Sequence, residues 1–113
     1  MIFPHRQEIW LASLSPTRGH EESGTRPVLV VSHDGLNAGP AELCIIIPIT
    51  SKIRNIPSHI RIEALEGGLQ LESAALCEAI RSVSRLRLIR RMGKITDSTM
   101  SEIDDVVRIL LVL

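Results

Sequence analysis

Aromatic side chains are almost missing from this chain of 113 residues, which has Phe3, Trp10 and no tyrosine. Ring platforms for stacking nucleic-acid bases are therefore mostly excluded, and a bound single strand would have to stack on arginine planes or histidines. Cysteine is scarce as well. Cys44 and Cys77 lie in apolar, strand-like segments with no Cys-x-x-Cys spacing, which reads as two buried, reduced thiols and argues against a zinc site. No apolar run approaches the roughly 20 residues of a membrane-spanning helix, and the N-terminus lacks a signal-peptide layout, so a soluble, cytoplasmic protein without membrane contact is expected. Net charge is absent: 13 basic residues balance 13 acidic ones, so the whole-chain total does not announce a nucleic-acid partner. Also missing are a phosphate-binding glycine loop, a Gly-x-Ser-x-Gly elbow, a dinucleotide fingerprint and any clear cluster of metal ligands. Whatever chemistry the chain performs is expected to need no metal and no cofactor.

What is present is enough apolar residue, 44% of the chain, for one cooperative core, so residues 1–113 are read as a single domain. Gln7–Leu14 alternates weakly and stops at Ser15-Pro16, which predicts a first strand. Arg26–Ser32 is a continuous apolar strand with Pro27 tolerated at its start. Leu36–Pro40 turns the chain, and Leu43–Ile49 runs back as a third strand paired with the second. Ser58–Glu63 alternates as a fourth, and Gly67-Gly68 marks a turn. Ser73–Glu78 and Ile80–Val83 read as one strand bent at Glu78-Ala79, and Leu88–Ile95 as another after a short turn or helical link at Ser84–Arg87. Only the chain end is expected to be helical, from about Asp97 to Val112, with Met100, Ile103, Val107 and Leu110 on one face. A Thr99/Glu102 capping box, Thr96 or Asp97 can each start it. The sum is a mainly β fold with a C-terminal α-helix, a small, strongly bent sheet or partly open barrel.

Two loops stand out. In RGHEESGTRPVLVVSHD, glycines 19 and 24 bracket His20, Glu21 and Glu22, and Arg26 stands where the chain enters the apolar strand. The other loop begins Pro48-Ile49-Thr50-Ser51-Lys52 as the third strand ends. If the second and third strands are antiparallel neighbours, Arg26 and Thr50-Ser51 share one rim. A planar guanidinium beside hydroxyl donors suits a phosphate group. The competing readings are a surface ion pair for Arg26, a turn-forming role for Thr50-Ser51 and a merely solvated His20. Residues 79–95 carry Arg81, Arg85, Arg87, Arg90, Arg91 and Lys94 with no acidic residue. That block is either an anion-facing ridge or a strand edge protected by charge.

The segments QEIWLASLSPTRGHEESGTRPVLVVSHDGLN, PITSKIRNIPSHI and GGLQLESAALCEAIRSVSRLRLIRRMGKIT resemble, in order and over nearly the whole chain, successive blocks of the MazF/PemK toxin family. The resemblance implies an SH3-like barrel of the CcdB/PemK type, a homodimer, and the toxin half of a type II toxin–antitoxin pair with a cognate antitoxin protein. It also implies sequence-specific, metal-independent cleavage of single-stranded RNA, mainly messenger RNA. The family's catalytic arginine matches Arg26 and its threonine matches Thr50. The general base is left among His20, Glu21 and Glu78, and RNA contacts are expected from Thr17, Ser51, Lys52, Arg54, Arg81 and Arg85.

The chain departs from the family pattern at Gln7, at Ala79 and at Leu76, where one branch carries an arginine acid two residues before the acidic position matched by Glu78. An arginine–acid mechanism around 76–78 is thereby in doubt, while Arg26 and Thr50 are intact. The alternative to an enzyme is a catalytically inactive or CcdB-like toxin that binds a protein target.

Overall fold

In the computed structural model, which describes residues 2–14 and 24–113, the apolar runs become strands of one antiparallel sheet. They are β1 (Glu8–Ser13), β2 (Thr25–Val30), β3 (Leu43–Thr50), β4 (His59–Ile62), β5 (Ser73–Leu76), β6 (Arg81–Ser84) and β7 (Leu88–Lys94). Their order is β4-β5-β3-β2-β1-β7, with β6 also paired to β3. Strand β3 organises the layout. One edge pairs with β2, while on the other Leu43–Ile46 pair with β6 and Ile49–Thr50 pair with β5. Among the described residues β4 and β7 are sheet edges, so the sheet is not closed.

Continuous apolar strands need cover on both sides, and the alternation of side chains supplies two cores. Ile9, Leu29, Ile47 and Ile49 face one side, where Met100 and Ile103 of the helix α2 (Asp97–Leu111) complete the packing. Trp10, Ala12, Val28, Val30, Cys44, Ile46 and Val83 pack on the other side. The Gly67-Gly68 turn lies directly on β7. A Cβ on Gly68, whose φ is +82°, would come within 2.2 Å of the Met92 carbonyl oxygen, and one on Gly93 within 2.5 Å of the Gly67 backbone. Close approach, as well as the turn, demands glycine there.

Two expectations need correction. Ser73–Val83 is not one bent strand but β5 and β6, separated by a 3-10 turn at Cys77–Ala79. The reason is topological, since the two halves pair with different stretches of β3 and the chain must step between them. Nor is helix confined to the chain end, because Asp34–Asn37 forms a short helix α1 capped by His33, whose Nδ1 accepts from the Gly35 amide at 2.8 Å. Asn37 is buried there and bonded to the Ser32 hydroxyl and carbonyl. Of the caps the sequence allows for α2, Thr96 is used; its hydroxyl accepts from the Thr99 amide at 3.2 Å.

Candidate active site

The β2–β3 register pairs Val28 with Pro48, Leu29 with Ile47 and Val30 with Ile46. Continued by two residues, it sets Arg26 opposite Thr50. Pro27 and Pro48 lack N–H groups, so the ladder loses donors just where it approaches this rim. Both Arg26 and Thr50 are half-buried. Their neighbours across the sheet are small, since Ala12 of β1 pairs with Arg26 and Ala74 of β5 pairs with Thr50. The Thr50 hydroxyl accepts from the Lys52 amide at 3.1 Å, and its own hydrogen can still be donated. A permanently charged guanidinium and a hydroxyl donor on one face can together bind a phosphoryl oxygen and stabilise charge that grows on it.

The other candidates are dispersed. Ser51, Lys52 and Arg54 are exposed on the loop that leaves Thr50, and Ser51 lines a cavity of about 230 Å³ with Pro27, Ile49, Leu69, Leu71 and Met92. By alternation that cavity opens on the face opposite Thr50. Arg81 is half-buried and pairs with Ile46, toward the middle of β3. Arg85 lies beyond the far end of β3; its guanidinium stacks on Phe3 at 4.7 Å and donates to the carbonyls of Asn37 at 2.7 Å and Gly39 at 3.1 Å. That guanidinium is built into the fold. Other members of the arginine block also hold the chain together, Arg87 through the Ser13 carbonyl and Arg91 through Glu8. Thr17, His20 and Glu21 lie outside the described residues.

Glu78 does not stand with Arg26 and Thr50. It occupies the 3-10 turn at which β3 changes partner, and the continued registers set that turn opposite Ile47, about 10 Å along the strand from Thr50. Its carboxylate accepts from the Ser58 hydroxyl at 2.6 Å and from His59 Nε2 at 2.7 Å. Burial pushes this carboxyl up, but the bonds from Ser58, its own backbone and His59 outweigh that and hold it below the ordinary 4.5. The His59 side chain is only 6% exposed, and its buried Nδ1 has no hydrogen-bond partner. With Glu78 accepting, the bonding assigns the ring proton to Nε2. Among the described residues no group of three or more His, Cys, Asp or Glu side chains is arranged to hold a metal ion.

Residues 5–111 match the family model of the PemK-like, MazF-like toxin of type II toxin–antitoxin systems. The chain belongs to the PemK/MazF toxin family. Within that family it is 34% identical over 109 residues to endoribonuclease MazF9 of Mycobacterium tuberculosis, covering 92% of each chain. It is also 34% identical over 111 residues to endoribonuclease EndoA of Bacillus subtilis, covering 96% of this chain and 94% of that one. The fold matches crystalline MazF of Deinococcus radiodurans with a TM-score of 0.89 over the whole of both chains, at 24% identity.

Two residues of this toxin escaped the sequence reading. His59 was visible only as the polar member of an alternating strand, and nothing local ties it to Glu78, 19 positions away. Arg61, two residues further along β4, was hidden in the same alternation. Their positions opposite Leu76 and Ala74 follow from the β4–β5 register, which no short segment encodes.

Proposed function

We propose that this toxin is a metal-independent, sequence-specific endoribonuclease that cleaves single-stranded RNA through its own ribose. The observation that carries the proposal is Arg26 set opposite Thr50 at the open end of the β2–β3 ladder. The two 34%-identical relatives, both named as endoribonucleases, support it. The 2′-oxygen attacks the adjacent phosphorus as its proton passes to a base, and the bond to the 5′-oxygen breaks. A 2′,3′-cyclic phosphate and a 5′-hydroxyl result, the leaving oxygen taking up a proton. DNA, without the 2′-hydroxyl, is spared. Arg26 and Thr50 donate to the phosphoryl oxygens as charge develops there. A guanidinium hardly ever deprotonates, so Arg26 serves as charge stabiliser and is not the base.

Glu78 is already engaged by Ser58 and His59 and is a positioning residue in this reading. The base is assigned to His20 or Glu21, which precede β2 in the sequence. Lys52 and Arg54, exposed beside Thr50, are assigned to the RNA backbone. The toxin acts in the cytoplasm as a homodimer of the single domain 1–113, and a cognate antitoxin protein neutralises it. No helix among the described residues is long and apolar enough to cross a membrane.

The test is cleavage of a defined RNA in EDTA with end-labelling of the products. Shortened RNA with 5′-hydroxyl ends is expected, and the all-deoxy strand should stay intact. Cleavage that stops with the chelator and returns with magnesium contradicts the mechanism. Unbroken RNA together with persistent growth arrest would favour a toxin that acts on a protein target.

A further inference from the structure

Thr50, Ala74 and Arg61 are successive Cα partners across β3, β5 and β4. Residues directly opposite in antiparallel strands present their side chains on one face. Arg26 joins the same row through the continued β2–β3 register. The row therefore reads Arg26, Thr50, Ala74, Arg61, a cation at each end with a hydroxyl and a methyl between. Residue 74 is alanine, so β5 contributes only a methyl to this row between Thr50 and Arg61. Two strand spacings separate the Thr50 and Arg61 backbones, about 9.5 Å, a distance that the long arginine side chain can shorten or extend.

Arg61 is held by Glu72, its Nη1 3.1 Å from the carboxylate, with the two side chains 59% and 50% exposed. Glu72 lies two residues before Ala74 and so belongs to the same face. An exposed pair of this kind is held weakly and is screened by salt. A guanidinium held this loosely can exchange a carboxylate for a phosphate.

We infer that Arg61 binds an RNA phosphate next to the scissile one, and that Glu72 holds its guanidinium in place until the RNA arrives. The inference rests on the ribonuclease reading above and adds to it a backbone contact on β4, at the far end of a row that spans four strands from Arg26. Arginine can engage a phosphate through two parallel N–H bonds, which fixes the direction of the strand as well as its distance.

The experiment first maps the cleavage position with the unaltered protein, then measures binding of the same RNA carrying a single 2′-deoxy sugar there. Arg61→Ala is expected to weaken binding about tenfold and to lower the slope of log K against log salt by about 0.7, one phosphate contact on a single strand. Arg61→Lys should keep the slope, and Glu72→Gln should tighten binding. Replacing the neighbouring phosphate with an uncharged methylphosphonate should weaken the unaltered protein but not Arg61→Ala. Activity loss in Arg61→Ala should fall mainly on KM, whereas Arg26→Ala falls on kcat. If the unaltered protein cleaves and binds while Arg61→Ala keeps its affinity and salt slope, the inference is overturned. If the unaltered protein neither cleaves nor binds RNA, the ribonuclease reading itself fails.

Discussion

Replacing Arg26 or Thr50 with alanine removes a donor from a half-buried strand end and takes nothing from either apolar core. Each variant is expected to lose about 10²–10³-fold in single-turnover cleavage while melting close to the unaltered protein and no longer arresting growth. Two folded variants that cleave normally would contradict the site assignment. Glu8 makes a different prediction, one of stability. It is buried and accepts from Trp10 Nε1 at 3.0 Å, the His5 amide at 2.8 Å and Arg91 Nε at 2.6 Å. Burial pushes its carboxyl up, but the bonds from Trp10, His5 and Arg91 outweigh this and keep it below the ordinary 4.5. A carboxylate with a lowered folded pKa stabilises fully above the unfolded value and loses that contribution as pH falls through the folded one. Melting temperature should therefore drop steeply below about pH 4.5, and Glu8→Gln should melt lower at neutral pH and flatten the acid limb. An unchanged acid limb in that variant would assign the loss to other carboxylates.

At the scale of elements, the loop from Ser51 to Pro57 is fastened at both ends. Thr50 holds its start through the Lys52 amide. Its far end is held by the Cys77 amide donating to the Ser58 carbonyl at 3.2 Å, and by Glu78 accepting from Ser58 and His59. Lys52 and Arg54 ride on the loop between these clamps. Glu78→Gln keeps one acceptor oxygen and loses the charge, so it should loosen the loop without deleting a base. The expected cost is less than about tenfold in single-turnover cleavage, below the 10²–10⁴-fold typical of a lost general acid or base. The lower limb of the pH–rate profile should survive, while His20→Ala or Glu21→Gln should cost more. A thousandfold loss in Glu78→Gln, with that limb gone, would make Glu78 the base. The expectation about Arg26 and Thr50 was legible in the sequence because antiparallel neighbours place the start of one strand beside the end of the next. The Glu78 clamp was not, because it depends on where β3 changes partners.

For the whole molecule, the last turn of α2 and the residues after it leave Ile109, Leu110, Leu111, Val112 and Leu113 exposed. Contiguous apolar surface of this kind suits coverage by another chain. The proposed homodimer predicts a sedimenting species of two chains and a melting temperature that rises with protein concentration, because association stabilises by mass action. A single-chain mass with a concentration-independent melt would contradict it. The charge balance follows the same division between surface and frame. Arg85, Arg87 and Arg91 spend their guanidinium groups on Phe3, backbone carbonyls and Glu8. A block of like charge in the sequence is therefore distributed over separate structural contacts.

The sequence by itself determined the positions of β1 to β4 and β7, the terminal helix and the antiparallel return of β2 on β3. These rest on local properties, namely side-chain periodicity and the turn residues between apolar runs. It also pointed to two buried, reduced cysteines, and in the structure both are buried, with desolvation pushing the thiols up to about 11 for Cys44 and about 12 for Cys77. Only the tertiary structure decided that Ser73–Val83 divides into two strands, that His59 meets Glu78, and that Arg61 shares a row with Arg26 and Thr50. Each of these is a register between segments distant in the chain. Several registers satisfy the same apolar alternation, and the simultaneous closure of both cores and the β3 ladders selects one.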